Sequence, residues 1–210
     1  MGSLRKYKFE IFFGALLLQI VYPFFALLFL IPQETLYLVS FTLLVMSSII
    51  MATNRTLKIL VVVFGIFGSI GLWCSFLLDD SNLISILRIY ATCFFYLTLT
   101  YVLTRNFIEA KNISLQVVIG AMSGYLLIGF LGASVIEMMS YHHPASFSMG
   151  SVASFDYYYF SFISLVTVGY GDIVPHSYPA KSLMILISII GQFYLAIGIA
   201  SLVGKFMNSN

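Results

Sequence analysis

Ser164-Leu165-Val166-Thr167-Val168-Gly169-Tyr170-Gly171-Asp172 stands between two long apolar runs of a 210-residue chain, and its reading decides the fold. It follows Ser154-Phe155-Asp156-Tyr157-Tyr158-Tyr159-Phe160-Ser161-Phe162-Ile163, which reads as a short helix capped by Ser154 or Asp156. The segment 154–171 is too short and too irregular to cross a bilayer alone, which takes about 20 apolar residues. The flanking runs 112–136 and 182–204 carry no Asp, Glu, Lys or Arg and are long enough. Non-helical backbone at membrane depth must be buried in protein or line a water-filled path. Glycine at alternate positions permits torsions that other L-residues disfavour, so successive carbonyls from Thr167 to Tyr170 can point the same way. Such a row of oxygens can replace the hydration shell of a cation, and the partly negative C-terminal end of the short helix adds to the attraction.

The rest of the chain supplies the membrane context. It is 60% hydrophobic, 17% aromatic and 9% charged, whereas soluble domains carry about 25% charged residues. This is an integral membrane protein. Its uncharged runs resolve into six spans at 9–31, 35–53, 58–78, 83–104, 113–140 and 179–206. Six spans put both ends on one side. Arg5, Lys6, Lys8, Arg55, Lys58, Arg105, Lys111 and Lys205 all fall on that side, eight of the ten Lys and Arg, which makes it cytoplasmic. The opposite connections carry Glu34, Asp79, Asp80 and His142-His143-Pro144, whose histidines read as loop polarity. The first run exceeds the 7 to 15 residues of a signal-peptide core, so it is kept as a span, kinked at Pro23. Gly120 and Gly124 fit a small-xxx-small helix contact. A net charge of +2 gives no footprint for nucleic acid or an acidic ligand. Cys74 and Cys93, inside apolar runs, read as small buried side chains rather than a disulfide or metal pair.

At Thr167 to Asp172 the sequence resembles the tetrameric potassium-channel family, whose selectivity filter is Thr-Val-Gly-Tyr-Gly, the standing example of carbonyl coordination of potassium. The resemblance covers 113–206, with outer helix, turret, pore helix, filter and inner helix in the family's order. It implies an all-α membrane protein with six transmembrane helices per subunit, a re-entrant pore helix and filter, and a homotetrameric pore. It implies potassium ions at Thr167, Val168, Gly169 and Tyr170, with Gly171 completing the filter and Thr167 giving both carbonyl and hydroxyl. Asp172 would sit at the outer mouth and bond to Tyr159, at a position where the family often has Trp. Glu137 would tie the fifth span to the pore region. Gly191 would be the gating hinge, with Gly198 and Gly204 as further weak points. Ile163 departs from the members that place a Glu behind the filter, which speaks against proton-linked inactivation through such a carboxylate. Apart from potassium ions no cofactor is implied.

The domain organisation is then a peripheral transmembrane domain at 1–104, a cytoplasmic linker at 105–112 and a pore domain at 113–210. The first four spans resemble the sensor region of six-span channels by position and number alone. A voltage-sensing fourth helix repeats Arg or Lys every third residue, and here residues 81–104 hold only Arg88. About five residues inside its span, Arg88 can snorkel outward toward Asp79 and Asp80. The short stretch Arg105 to Ser114 keeps each bundle beside its own pore unit. The expectation is a non-enzymatic, passive potassium channel, voltage-independent or only weakly gated by voltage, in a prokaryotic plasma membrane with both termini cytoplasmic and no cytoplasmic domain. Its partners are copies of itself, potassium and lipid, with no nucleic acid and no soluble ligand identifiable. Two other classes stand beside it: a potassium transporter subunit with filter-like loops, and a membrane scaffold or receptor with a vestigial pore.

Overall fold

The computed structural model describes residues 7–52, 55–78, 82–110, 114–148 and 154–207. Among them are helices α1 (Lys8–Phe29), α2 (Gln33–Met51), α3 (Arg55–Leu77), α4 (Asn82–Glu109), α5 (Leu115–His142), α6 (Ser154–Leu165) and α7 (Tyr178–Met207), with a 3-10 turn at Pro144–Ser146. Six of them are long and apolar enough to cross a membrane; α6, with 12 residues, is not. Arg5, Lys6, Asp79, Asp80 and Lys111 lie outside the described residues.

Local chemistry sets the helix ends. α1 runs unbroken through Pro23 and stops at Leu30, in the left-handed region at φ 53, with Pro32 just beyond. Ser114 caps α5, its Oγ accepting from the Val117 N–H. α4 continues to Glu109, into the stretch read as linker, where Arg105 and Glu109 pair at 2.7 Å across one turn. Within the spans, hydroxyls donate back to carbonyls three or four residues earlier, as Thr42 does to Leu38, Ser48 to Val45, Thr100 to Tyr96 and Ser123 to Ile119. That is how polar residues sit in apolar helices without an unsatisfied donor.

α5 is the central column, packed by α4 and α1 on one side and by α6 and α7 on the other. Of its most apolar window 67% is buried, against 22% for α7. One cluster joins the first four helices to α5 and α6 through Phe12, Leu16, Phe41, Tyr96, Phe130 and Tyr158. A second joins α5, α6 and α7 through Ile136, Phe160, Ile163, Leu165, Met184 and Ile187. Lipid tails are as apolar as these side chains, so close packing and hydrogen bonds rather than water exclusion hold the helices together. Gly120 and Gly124 face different partners: a methyl at Gly120 would touch the Phe9 ring of α1, and one at Gly124 would run into the Tyr194 hydroxyl of α7. Within the single chain, α1 and α4 pack against α5.

Candidate functional site

α6 ends against the glycine-rich stretch. The N–H of Thr167 donates to the Ser164 carbonyl at 3.0 Å, and those of Val168 and Gly169 both donate to the Ile163 carbonyl, at 2.9 and 3.1 Å. The stretch therefore turns its first amides back onto the helix and satisfies the orphan carbonyls there. φ is positive at Thr167 (60), Gly169 (52) and Gly171 (81), every second residue. Among the described residues, no hydrogen bond ends on the carbonyls of Thr167, Val168, Gly169 or Tyr170. All five residues from Thr167 to Gly171 are exposed in the single chain, Val168 at 51% and Tyr170 at 72%. Main-chain oxygens of this kind, exposed in the single chain and without hydrogen-bond partners among the described residues, have the chemistry to act as ligands for a hard cation.

The surroundings brace this stretch. The Tyr159 hydroxyl of α6 donates to Asp172 Oδ2 at 2.7 Å and holds the Asp172 carboxyl below its ordinary value of 3.8. Beyond Asp172 the chain returns beside the turn after α5. Phe147 and Pro175 form an antiparallel bridge, Ser148 N–H donates to the Val174 carbonyl at 2.9 Å, and His176 N–H donates to the Ser146 carbonyl at 2.8 Å. Ser161 donates to the Gly129 carbonyl at 2.7 Å, and Ser188 of α7 to the Ser164 carbonyl at 3.2 Å. Ile163 lies buried in the apolar cluster behind the stretch.

Two charged residues meet across helices. Glu137 of α5 pairs with Arg88 of α4 at 2.8 Å, the two side chains 13% and 15% exposed. Arg88 correspondingly turns to Glu137 rather than only outward, because a charge among apolar helices is costly until an opposite charge meets it. Tyr90 and His142 share a hydrogen bond at 3.0 Å and the Tyr141 hydroxyl donates to the Asn82 carbonyl at 3.2 Å, so the start of α4 is clasped to the end of α5. Neither ring had a local signal pointing to the other, and His142 belongs to the last turn of α5 rather than to a loop.

The two hinge candidates differ. At Gly191 a methyl would meet the Leu165 side chain at 2.5 Å and its carbonyl at 3.0 Å, so this glycine lets α7 approach the end of α6. At Gly198 a methyl would meet nothing within 4 Å. Gly198 lines an apolar cavity of about 420 Å³ shared with Phe13 of α1, Ala121 and Tyr125 of α5, and Leu202.

Residues 122–208, less than half of the chain but all of α6 and the stretch after it, are similar to a protein-family model described as an ion channel. α1 to α4 lie outside the match. No curated protein and no solved structure matches the chain.

Proposed function

We propose that this protein is a potassium-selective channel, a homotetramer in which four copies of Thr167–Gly171 ring one ion path and α6 serves as pore helix. The reading rests on one observation: the Thr-Val-Gly-Tyr-Gly stretch has positive φ at alternate residues and leaves its carbonyls from Thr167 to Tyr170 without partners among the described residues. Potassium, stripped of water, would bind these oxygens from Thr167 to Tyr170, with the Thr167 hydroxyl at the inner end. Asp172, braced by Tyr159, lies at the outer mouth. Conduction is passive, so no group in the chain has to form or break a covalent bond.

A fourfold ring is favoured by what one chain leaves uncovered. Ile185, Ile189, Phe193 and Ile197 of α7 are exposed, as is the filter stretch. Neighbouring copies around a closed axis would cover part of that surface and lipid the rest. Six spans with both termini cytoplasmic fit the basic residues, and Arg88, the single Lys or Arg between residues 81 and 104, supports weak or absent voltage gating. Gly198, where an added methyl would meet nothing within 4 Å, is the better hinge candidate, and Gly191, close to Leu165, the packing contact.

Reconstitution tests this. Liposomes containing only this protein should pass potassium and not sodium, and the detergent-solubilised particle should have the mass of four chains. Equal flux of both ions, or a monomeric conducting species, would overturn the reading.

A further inference from the structure

Tyr37 of α2 and Tyr158 of α6 share a hydroxyl–hydroxyl hydrogen bond at 2.7 Å, 121 residues apart in sequence. They are only 8% and 6% exposed, in the cluster that joins bundle to pore helix. We infer that the α1–α4 bundle is a filter-positioning scaffold, and that Tyr37 is its positioning residue, locating the pore helix through Tyr158. The inference rests on the potassium-channel reading and gives the four amino-terminal helices a part in it.

The observations run from the bundle to the ion path without a gap. Ser40 donates to both the Gln19 side-chain carbonyl of α1 and the Tyr37 main-chain carbonyl, the latter at 2.9 Å, so α1 and α2 are joined at the level of Tyr37. Gln19 and Ser40 are almost wholly buried. Tyr22 of α1 packs on the Tyr37 ring at 5.6 Å and edge-on against Phe155 of α6 at 5.7 Å. Phe130 of α5 meets Tyr158 edge-on at 5.3 Å. The next residue of α6, Tyr159, is turned about 100° around the helix and donates to Asp172. Consecutive tyrosines thus fasten opposite ends of one linkage, Tyr158 into the bundle and Tyr159 onto the end of the filter.

Apolar contacts alone would let α6 slide or rotate with little change in packing. A buried hydroxyl pair does not, because any other register leaves two hydroxyls in apolar surroundings without partners. Directionality makes the contact a locator rather than merely an adhesive. The same physics explains why tyrosine stands at both positions where phenylalanine would pack equally well.

The test uses the full-length protein in liposomes, with Tyr37→Phe and Tyr158→Phe made separately and together, and Phe41→Leu as a packing control in the same cluster. Each single variant is expected to lower the potassium-to-sodium permeability ratio about fivefold, on the scale of one neutral hydrogen bond. Hydrogen exchange of the Tyr158–Leu165 amides should rise about tenfold in both. The double variant should match the singles, since either single already removes the Tyr37–Tyr158 hydrogen bond. Phe41→Leu should lower Tm with the permeability ratio unchanged. A wild-type ratio and wild-type exchange in either single variant would overturn the inference and leave the channel reading standing. So would additive effects in the double variant, or a ratio lowered equally by Phe41→Leu. If the wild-type protein itself fails to select potassium, the channel reading falls, and the amide exchange still decides whether Tyr37 locates α6.

Discussion

The carboxy-terminal and amino-terminal halves use backbone and side chains in opposite ways. In α5 to α7 the proposed ion site is made of main-chain oxygens, and side chains fasten its surroundings, Tyr159 to Asp172 and Ser161 to the Gly129 carbonyl. In α1 to α4 the main chain is spent inside helices, and what distinguishes the bundle is side-chain pairs: Ser40 with Gln19, Tyr37 with Tyr158, Arg88 with Glu137. Backbone chemistry demands particular residues at fixed local spacing, whereas pairs between helices demand only that two residues meet. The first kind of device is readable in a motif. The second becomes visible only when the helices are assembled.

The sharpest contrast is expected at Gly171, where φ is 81 and a methyl would meet no atom within 4 Å. Gly171→Ala is therefore a torsional perturbation rather than a steric one, about 1–2 kcal/mol per chain and about 4–8 kcal/mol around a fourfold ring. Selectivity for potassium over sodium should be lost while the helical content by circular dichroism stays as in the wild type. Retained selectivity would show that the carbonyl row is not the ion path.

Breaking the bundle's ion pair should be the next largest effect. Arg88→Gln leaves Glu137 buried without its partner, about 3–5 kcal/mol per chain, and should lower Tm clearly, whereas Arg88→Met with Glu137→Leu should recover most of the loss. The same magnitudes bear on voltage. Moving one full charge across the membrane gains about 2.3 kcal/mol per 100 mV, less than separating the pair costs, so Arg88 is expected to stay paired. Open probability between about −120 and about +120 mV should be nearly flat in wild type and in Arg88→Gln. A steep curve abolished by the substitution would make the bundle a sensor after all.

The glycines of α7 sharpen the comparison within one helix. Gly198→Ala adds a methyl in open space and should reduce open probability severalfold if α7 bends there, with Tm little changed. Gly191→Ala, which meets Leu165, should lower Tm first, and any change in gating there would not by itself reveal a hinge. Equal behaviour of the two variants would count against Gly198 as the hinge.

The smallest effect concerns pH. The Tyr159 hydroxyl lowers the Asp172 pKa, so the tie contributes stability above the ordinary carboxylate value of 3.8 and loses it as pH falls through the lower folded value. Current stability should be indifferent to external pH from about 8 to about 5, and Tyr159→Phe should shorten sustained currents at all of these values. A decline of the wild-type current near neutral pH would point to another group.

How much of this the sequence discloses follows the same division. The six apolar spans, the short helix before Thr167 and the place of the candidate ion site could all be read from charge-free runs and one glycine pattern. Arg88 shows why the rest could not: sequence proximity pointed to Asp79 and Asp80, while its partner Glu137 lies 49 residues away. Tyr37 and Tyr158 are indistinguishable by local pattern from the chain's other tyrosines in apolar surroundings. The continuation of α4 to Glu109 did carry a local signal, the Arg105 and Glu109 spacing of one helical turn. Splitting Gly120 and Gly124 between α1 and α7 required the assembled helices, since small-residue spacing marks a contact without naming its partner.

Thr167 has a consequence of its own. Among the described residues it is one of two non-glycines at positive φ, and the other, Leu30, merely ends a helix. A glycine at 167 would relax the backbone by about 1–2 kcal/mol, so threonine is kept against the preference of the main chain. The side chain must return something that a hydrogen atom cannot, and its hydroxyl is what glycine lacks. The inner end of the proposed ion site would thus draw a side-chain oxygen and a main-chain oxygen from the same residue under tension. Serine there would keep the hydroxyl, remove the branching methyl and ease the rotamer restriction. The same position could then serve as a dial between ion affinity and backbone ease rather than as an on–off element.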